Sequence, residues 1–281
     1  MKQFLKKQRS EIIRTAIQIA FLIFLPSAFS SAFTAVKNVF AAISEGAELT
    51  WTPFVTILLC LLGFTVVFGR FFCGYACPFG AVTDWIWKIS SFVQKKTKKK
   101  LPKIPENVQK YLQGLKYVVL AGILLLCGFG AAGVVNANSP WTLFSLLLSG
   151  QHIGAELTIA GILLALIVIL SVFEERAFCQ FFCPMGAIFS LMPVLPTGQL
   201  KRDTDKCLKG CSLCKRTCPV AIQPGEAQLR GGECIRCGKC EFSCPRKNLS
   251  VSPVRFRPAE QILVFVRAAI LAAVLIFVAG M

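Results

Sequence analysis

Histidine and several cofactor motifs are scarce or absent in this chain, and each absence excludes a class of protein. The 281 residues include one histidine, His152, so a haem held by two histidines is excluded. The sequence has no C-x-x-C-H motif for covalent haem, no glycine-rich dinucleotide fingerprint and no P-loop. A soluble nucleotide substrate would therefore need a partner subunit to bind it.

Charged residues are also few. They make up 16% of the chain, against about 25% in globular proteins, and 55% of the residues are hydrophobic. A helix needs about 20 apolar residues to span a bilayer, or about 17 at the short end. We therefore expect an all-α integral membrane protein with about five transmembrane helices and an internal duplication. Its apolar segments cover 12–33, 53–69, 115–135, 157–173 and 260–280.

The basic residues are unevenly distributed in a chain whose formal net charge is +17. If the N-terminus is cytoplasmic, the outward loops 34–52 and 136–156 contain one basic residue, Lys37. Cytoplasmic loops are enriched in lysine and arginine, so we expect a multi-pass protein of the cytoplasmic membrane with its C-terminus outside. The alternative for the first segment is a cleaved signal peptide. Because basic residues lie beside lipid-contacting segments, we expect no nucleic-acid partner.

Eight of the fourteen cysteines lie in the polar stretch 197–256. They form two runs, CLKGCSLCKRTCP at 207–219 and CIRCGKCEFSCP at 234–245. The spacing resembles that of two-cluster ferredoxins, in which three close cysteines hold one cubane and the distant Cys-Pro cysteine ligates the other cluster. Zinc ribbons fit these runs poorly. The resemblance implies two 4Fe–4S clusters: cluster 1 on Cys207, Cys211, Cys214 and Cys244, and cluster 2 on Cys218, Cys234, Cys237 and Cys240.

A second cysteine motif occurs twice outside this stretch. Residues 70–81 read RFFCGYACPFGA, and residues 176–187 read RAFCQFFCPMGA. Each copy follows an apolar segment, so two repeats of like topology should be related by a pseudo-two-fold axis along the membrane normal. We call these two copies the doubled motif and expect its thiols to face one another. They are Cys73, Cys77, Cys179 and Cys183.

The four thiols of the doubled motif are enough for a third iron–sulfur cluster. Two centres completed by other ligands, or redox-active thiols without metal, are the alternatives. Arg70 and Arg176 flank the thiols symmetrically, so they either stabilise an anionic cluster or bind lipid phosphate. Cys60 and Cys127 lie inside apolar segments and are expected to be ordinary apolar residues.

The domain organisation follows from these segments. We expect a membrane core of two helix-pair repeats at 1–196, a ferredoxin-like α+β domain at 197–256 on the cytoplasmic side, and a C-terminal transmembrane helix at 257–281. Residues 82–93 alternate apolar residues with Asp84 and Lys88, which is typical of a short helix at the membrane surface.

With its paired C-x-x-x-C-P motifs and two-cluster segment, the chain resembles the NapH-type membrane-bound 4Fe–4S ferredoxins, a family of quinol dehydrogenase components. It also resembles the membrane cores of nitrous-oxide-reductase regulators and reductive-dehalogenase accessory proteins. The resemblance implies an electron-transfer subunit. At one end of its relay is either a quinone pool, for example menaquinol, or a cytoplasmic donor. At the other end is a partner that carries flavin, haem or iron–sulfur. His152 is then either structural or an acceptor of a quinol proton.

Two other functions remain open at the level of sequence. One is a redox-sensing or maturation factor for a partner metalloenzyme. The other is a metal-ion reductase, which is disfavoured because the expected outward loops contain one histidine and no methionine or cysteine.

Overall fold

The computed structural model describes residues 2–46, 51–99, 101–102, 104–150, 158–195, 199–203, 205–208, 210–222, 232–250 and 257–278. These residues are mostly helical. The helices are α1 Lys2–Phe24, α2 Ala28–Glu45, α3 Pro53–Phe68, α4 Pro78–Thr97, α5 Glu106–Gly128, α6 Ala132–Ala137, α7 Pro140–Ser149, α8 Thr158–Phe173, α9 Ala177–Phe181, α10 Pro184–Leu191, α11 Leu213–Thr217, α12 Lys239–Ser243 and α13 Arg257–Ala273. Strands β1 Lys201–Arg202 and β2 Leu249–Ser250 pair antiparallel. Short π-helical stretches cover Phe72–Ala76 and Val274–Val278.

The prediction of about five transmembrane helices is wrong. Among the residues that the structure describes, one helix, Asn107–Gly128 within α5, is long and apolar enough to cross a membrane. Helices α3 and α8 have 16 residues each. At a rise of 1.5 Å per residue such a helix is about 24 Å long, which is shorter than the ~30 Å hydrocarbon core of a bilayer.

The first and fifth apolar segments also differ from expectation. Segment 12–33 is divided between α1 and α2, because the chain leaves the helix around Pro26, which has no N–H to continue it. Segment 260–280 holds a shorter apolar helix, Ile262–Phe277, whose end is the π-helical stretch. Hydropathy therefore located the apolar residues correctly but not the breaks between them.

An α+β insert is not seen in the described part of 197–256. Its strands have two residues each, and its helices α11 and α12 have five. Strands in globular proteins usually have 3–10 residues. A cysteine at every third or fourth position leaves little chain between the thiols, so the backbone turns around them instead of extending.

The hydrophobic core lies where the two copies of the doubled motif meet. Phe79 of the first copy and Phe178 of the second have ring centroids 4.7 Å apart. Phe72 packs edge-on against Phe189 of α10 at 6.3 Å. Helix α4, which follows the first copy, packs against α8, and α5 packs against α9 and α10. The two copies therefore share one core.

Candidate iron–sulfur centres

The second cysteine of each doubled-motif copy lies at the start of a helix. Cys77 precedes α4 and Cys183 precedes α10, and in both helices the first residue is a proline, which is well tolerated there because the first N–H groups of a helix have no partner within it. The backbone N–H of Gly80 donates to Cys77 Sγ at 3.4 Å, and that of Gly186 donates to Cys183 Sγ at 3.2 Å. A helix N-terminus favours the thiolate form of a cysteine. The sequence C-P-x-G thus positions both thiols alike.

All four cysteines of the doubled motif are buried close together, with 8% or less of each residue exposed. The Cys183 thiol interacts electrostatically with Cys179, Cys73 and Cys77. Burial raises the pKa of the Cys77 thiol, and the charges of Cys179 and Cys73 raise it further. Four thiols in one buried space ionise together only beside positive charge. Iron would supply such charge, so the donor set fits an iron–sulfur cluster.

Two buried arginines reach across the doubled motif in a reciprocal way. A Cβ added at Gly80 of the first copy would lie 2.5 Å from Nη1 of Arg176, which belongs to the second copy. A Cβ added at Gly186 of the second copy would lie 3.0 Å from Nη2 of Arg70, which belongs to the first. Each glycine therefore leaves room for the guanidinium of the other copy. A two-fold axis relating the two copies would produce this reciprocal packing of arginine against glycine.

Each of these arginines lies beside one thiol from each copy. The charge of Arg70 interacts with Cys73 and Cys183, and that of Arg176 with Cys179 and Cys77. Arg70 is 1% exposed and Arg176 is 0% exposed, so neither presents its guanidinium to lipid phosphate. Nε and Nη2 of Arg70 have no hydrogen-bond partner within the described chain. These positions fit arginines that stabilise an anionic sulfur centre.

Asp84 is part of this site although sequence reasoning assigned it to a membrane-surface helix. Its carboxylate is buried and accepts hydrogen bonds from Gln18 Nε2 at 2.8 Å, from Arg176 Nε at 2.6 Å and from Arg14. Burial alone would raise the pKa of Asp84, but Arg14 and Arg176 hold it well below the usual aspartate range. The carboxylate therefore fixes Arg176 beside the thiols. The sequence signal that could have identified Asp84 as part of the site is an acidic residue soon after a cysteine motif in a chain with few acidic residues.

The four cysteines expected for cluster 2 line one cavity. The Cys240 thiol interacts electrostatically with Cys237, Cys234 and Cys218. Burial raises the pKa of Cys218 to about 12, while backbone N–H groups that donate to its sulfur act in the opposite direction. A cavity lined by four thiols fits a bound cubane.

Three of the four cysteines expected for cluster 1 interact with a different cation. Arg202 Nη2 donates to Cys207 Sγ at 3.0 Å. This hydrogen bond, followed by the charges of Cys207, Cys214 and Cys211, raises the pKa of Arg202. Cys244 instead packs with Cys214 against a small apolar cluster that contains Leu200 and Leu249. Arg202 was not singled out from the sequence.

Two further cysteines belong to none of these three sets of four thiols. Cys127 is buried and Cys60 is half-buried. His152 lies outside the described residues. Within the described ranges, no group of three or more His, Cys, Asp or Glu side chains is close enough to hold a single metal ion. A cubane is larger than one ion, so the thiolates that hold it stand farther apart.

Comparison with known proteins identifies the class. A family model described as a 4Fe–4S binding domain matches residues 50–100 and 157–199. These stretches contain the two copies of the doubled motif, and the two ferredoxin-like cysteine runs lie outside them. The chain is therefore an iron–sulfur protein of the 4Fe–4S class.

Relatives that match most of this chain identify the family. MJ0750, an uncharacterised protein of Methanocaldococcus jannaschii, is 32% identical over 249 residues, which cover 86% of this chain and 95% of that protein. The ferredoxin-type protein NapH of Escherichia coli is 26% identical over 70% of this chain and 64% of its own length. The regulatory protein NosR of Pseudomonas aeruginosa is 25% identical over 72% of this chain, but over only 28% of its own length. No solved structure matches. The chain belongs to the NapH-type 4Fe–4S ferredoxin family.

Proposed function

We propose that the protein is a membrane-bound electron-transfer subunit that relays electrons between a quinone pool or a cytoplasmic donor and a partner reductase. The observation that carries this proposal is the convergence of four buried thiols from two distant motif copies, beside two buried arginines. The 4Fe–4S family model supports it because its match spans both copies. The partner would carry flavin, haem or iron–sulfur.

Three centres form the proposed relay. The doubled motif holds one cluster, and the two ferredoxin-like runs hold clusters 1 and 2 with the ligands assigned from the sequence. The proposed division into 1–196, 197–256 and 257–281 separates the doubled motif from these runs along the chain. In space they meet, because Val220 and Ile235 pack into the core that contains the doubled motif.

The proposed location is the cytoplasmic membrane, with the cysteines on the cytoplasmic side. The apolar helix within α5 supports membrane attachment. The lysine-rich stretch at 95–100 begins in the last turn of α4. It supports a cytoplasmic orientation, because basic residues are enriched on that side. Quinol as a donor is part of the proposal and rests on the family resemblance.

The chain's own residues account for three requirements of such a centre. Bound clusters supply one-electron transfer. The helix N-termini at Cys77 and Cys183 hold thiolates, the aromatic core excludes water, and Arg70 and Arg176 offset the negative charge of a thiolate-bound centre. Because an added electron makes the centre more negative, buried cations beside it favour the reduced form.

Iron counting with electron paramagnetic resonance (EPR) of anaerobically purified protein tests the proposal. Three cubanes would give about 12 irons per chain, and clusters 1 and 2 alone about 8. Cys73→Ala and Cys179→Ala should each abolish the same EPR signal, whereas Cys207→Ala should affect a different one. Clusters that neither a quinol nor a low-potential donor reduces would refute the relay.

A second candidate is a redox-sensing or maturation factor for a partner metalloenzyme, which the relative named as a regulatory protein favours. A strain without the protein should then contain a cofactor-deficient partner enzyme. A partner with its full cofactor content but no electron supply would instead support the relay.

A further inference from the structure

The residue after the first cysteine of each doubled-motif copy contacts a segment that carries cysteines of cluster 2. In the first copy this residue is Gly74, and a Cβ added there would lie 2.3 Å from the backbone oxygen of Ile235. In the second copy it is Gln180, whose Nε2 donates to the backbone oxygen of Pro219 at 2.9 Å. Equivalent positions of the two copies thus contact both chain segments that line the cluster 2 cavity.

Further buried contacts join the same two sites. Tyr75, next to Gly74, donates its hydroxyl hydrogen to the backbone oxygen of Cys237 at 3.3 Å. Arg70 Nη1 donates to the backbone oxygen of Gly232 at 3.0 Å. Arg14 Nε donates to Gly74 O at 3.2 Å, and the charge of Arg14 also interacts with Cys237. The doubled motif and the 232–237 segment are therefore in direct contact.

Burial orders the three proposed centres from the surface inward. The cysteines of cluster 1 are all partly exposed, two of those of cluster 2 are buried, and all four of the doubled motif are buried. Cluster 1 therefore lies at the accessible end, and cluster 2 lies against the doubled motif.

We infer that Gly74 and Gln180 hold the two segments of cluster 2 against the doubled motif, so that electrons would pass directly between the two sites when both hold clusters, and that position 74 is glycine because a side chain would force the two sites apart. This inference rests on the proposed function. In each such transfer one electron would leave one centre, which would be oxidised, and enter the other, which would be reduced. The external donor and acceptor are the low-potential donor or quinol and the partner reductase already proposed.

Gly74→Ala tests the inference, with Gly63→Ala as its matched control. Apart from its chain neighbours and the backbone of its own helix, nothing lies within 4 Å of a Cβ added at position 63. In fully reduced native protein we expect the EPR signals of the two centres to be broadened by their magnetic interaction. Gly74→Ala should keep the native iron content but narrow these signals, and electrons supplied through cluster 1 should reach the doubled-motif centre several-fold more slowly. Gly63→Ala should match the native protein in both measurements.

If Gly74→Ala cannot be purified with its full iron content, two further variants test the inference instead. Tyr75→Phe and Gln180→Leu remove single contacts between the sites and should each slow transfer between the two centres. Native protein with about 12 irons but no magnetic interaction between these centres would overturn the inference and leave the proposed function intact. Native protein with about 8 irons would overturn the third centre and the inference together.

Discussion

Replacing Asp84 with asparagine should destabilise the folded protein strongly. The carboxylate is 1% exposed and lies between Arg14 and Arg176, which are also buried. Asparagine has nearly the same size and can still accept hydrogen bonds. The substitution therefore changes mainly the charge between the two guanidinium groups.

The magnitude follows from the burial of all three groups. Removing one partner of a buried ion pair costs about 3–5 kcal/mol, because the remaining charge has no counter-charge. Asp84→Asn leaves both cations, Arg14 and Arg176, without a counter-charge, although both keep a hydrogen bond to the backbone oxygen of Gly74. We expect a loss near the top of this range, which corresponds to a decrease on the order of 10 °C in the unfolding midpoint.

The assay is thermal unfolding of detergent-solubilised, anaerobic protein whose iron content is measured beforehand. Asp203→Asn is the matched control, because Asp203 pairs with Lys206 at 2.5 Å on the surface. Exposed pairs contribute little, so the control midpoint should not change measurably. A midpoint for Asp84→Asn within about 2 °C of the native value would refute the role of this carboxylate in holding the arginines.

Three further predictions concern other residues of the described chain. Arg236 is buried beside the cluster 2 cavity, and its guanidinium nitrogens have no described hydrogen-bond partner. Arg236→Gln should therefore lower the midpoint potential of cluster 2 in an EPR-monitored redox titration without loss of iron. An unchanged midpoint potential would contradict this prediction. The pKa of Glu11 is lowered, because Lys239 and other cations outweigh the effect of burial. Its stabilising contribution should be complete above about pH 4.3 and be lost as the pH falls below that, so Glu11→Gln should weaken the decrease in unfolding midpoint on acidification. Cys60→Ala and Cys127→Ala should retain the native iron content, and iron loss in either would assign that thiol to a centre.

Repetition in the sequence was the best guide to the site. Identical spacing in two copies, each followed by proline, gave Cys77 and Cys183 the same position at a helix start, and the structure brings all four thiols of the doubled motif together. Their binding of iron stays a prediction. The family resemblance is confirmed by relatives that match most of this chain.

Asp84 shows what one sequence does not reveal. A carboxylate within an amphipathic stretch has the pattern of a solvent-facing residue. Its burial depends on Arg14 and Arg176, which lie 70 and 92 positions away in the chain. Local periodicity carries no information about such distant partners. The number of membrane spans was overestimated for a related reason, since hydropathy averages over breaks such as the one around Pro26.

Because each motif copy packs its arginine against a glycine of the other copy, the site can form only after both copies have been synthesised. Each copy supplies two thiols, and each contains a glycine that receives the guanidinium of the other. A nascent chain that has emerged only as far as the first copy holds half of the ligands and lacks the cation that packs against Gly80. The proposed iron centre would therefore be completed only after the ribosome has passed Cys183 and the second copy has folded onto the first.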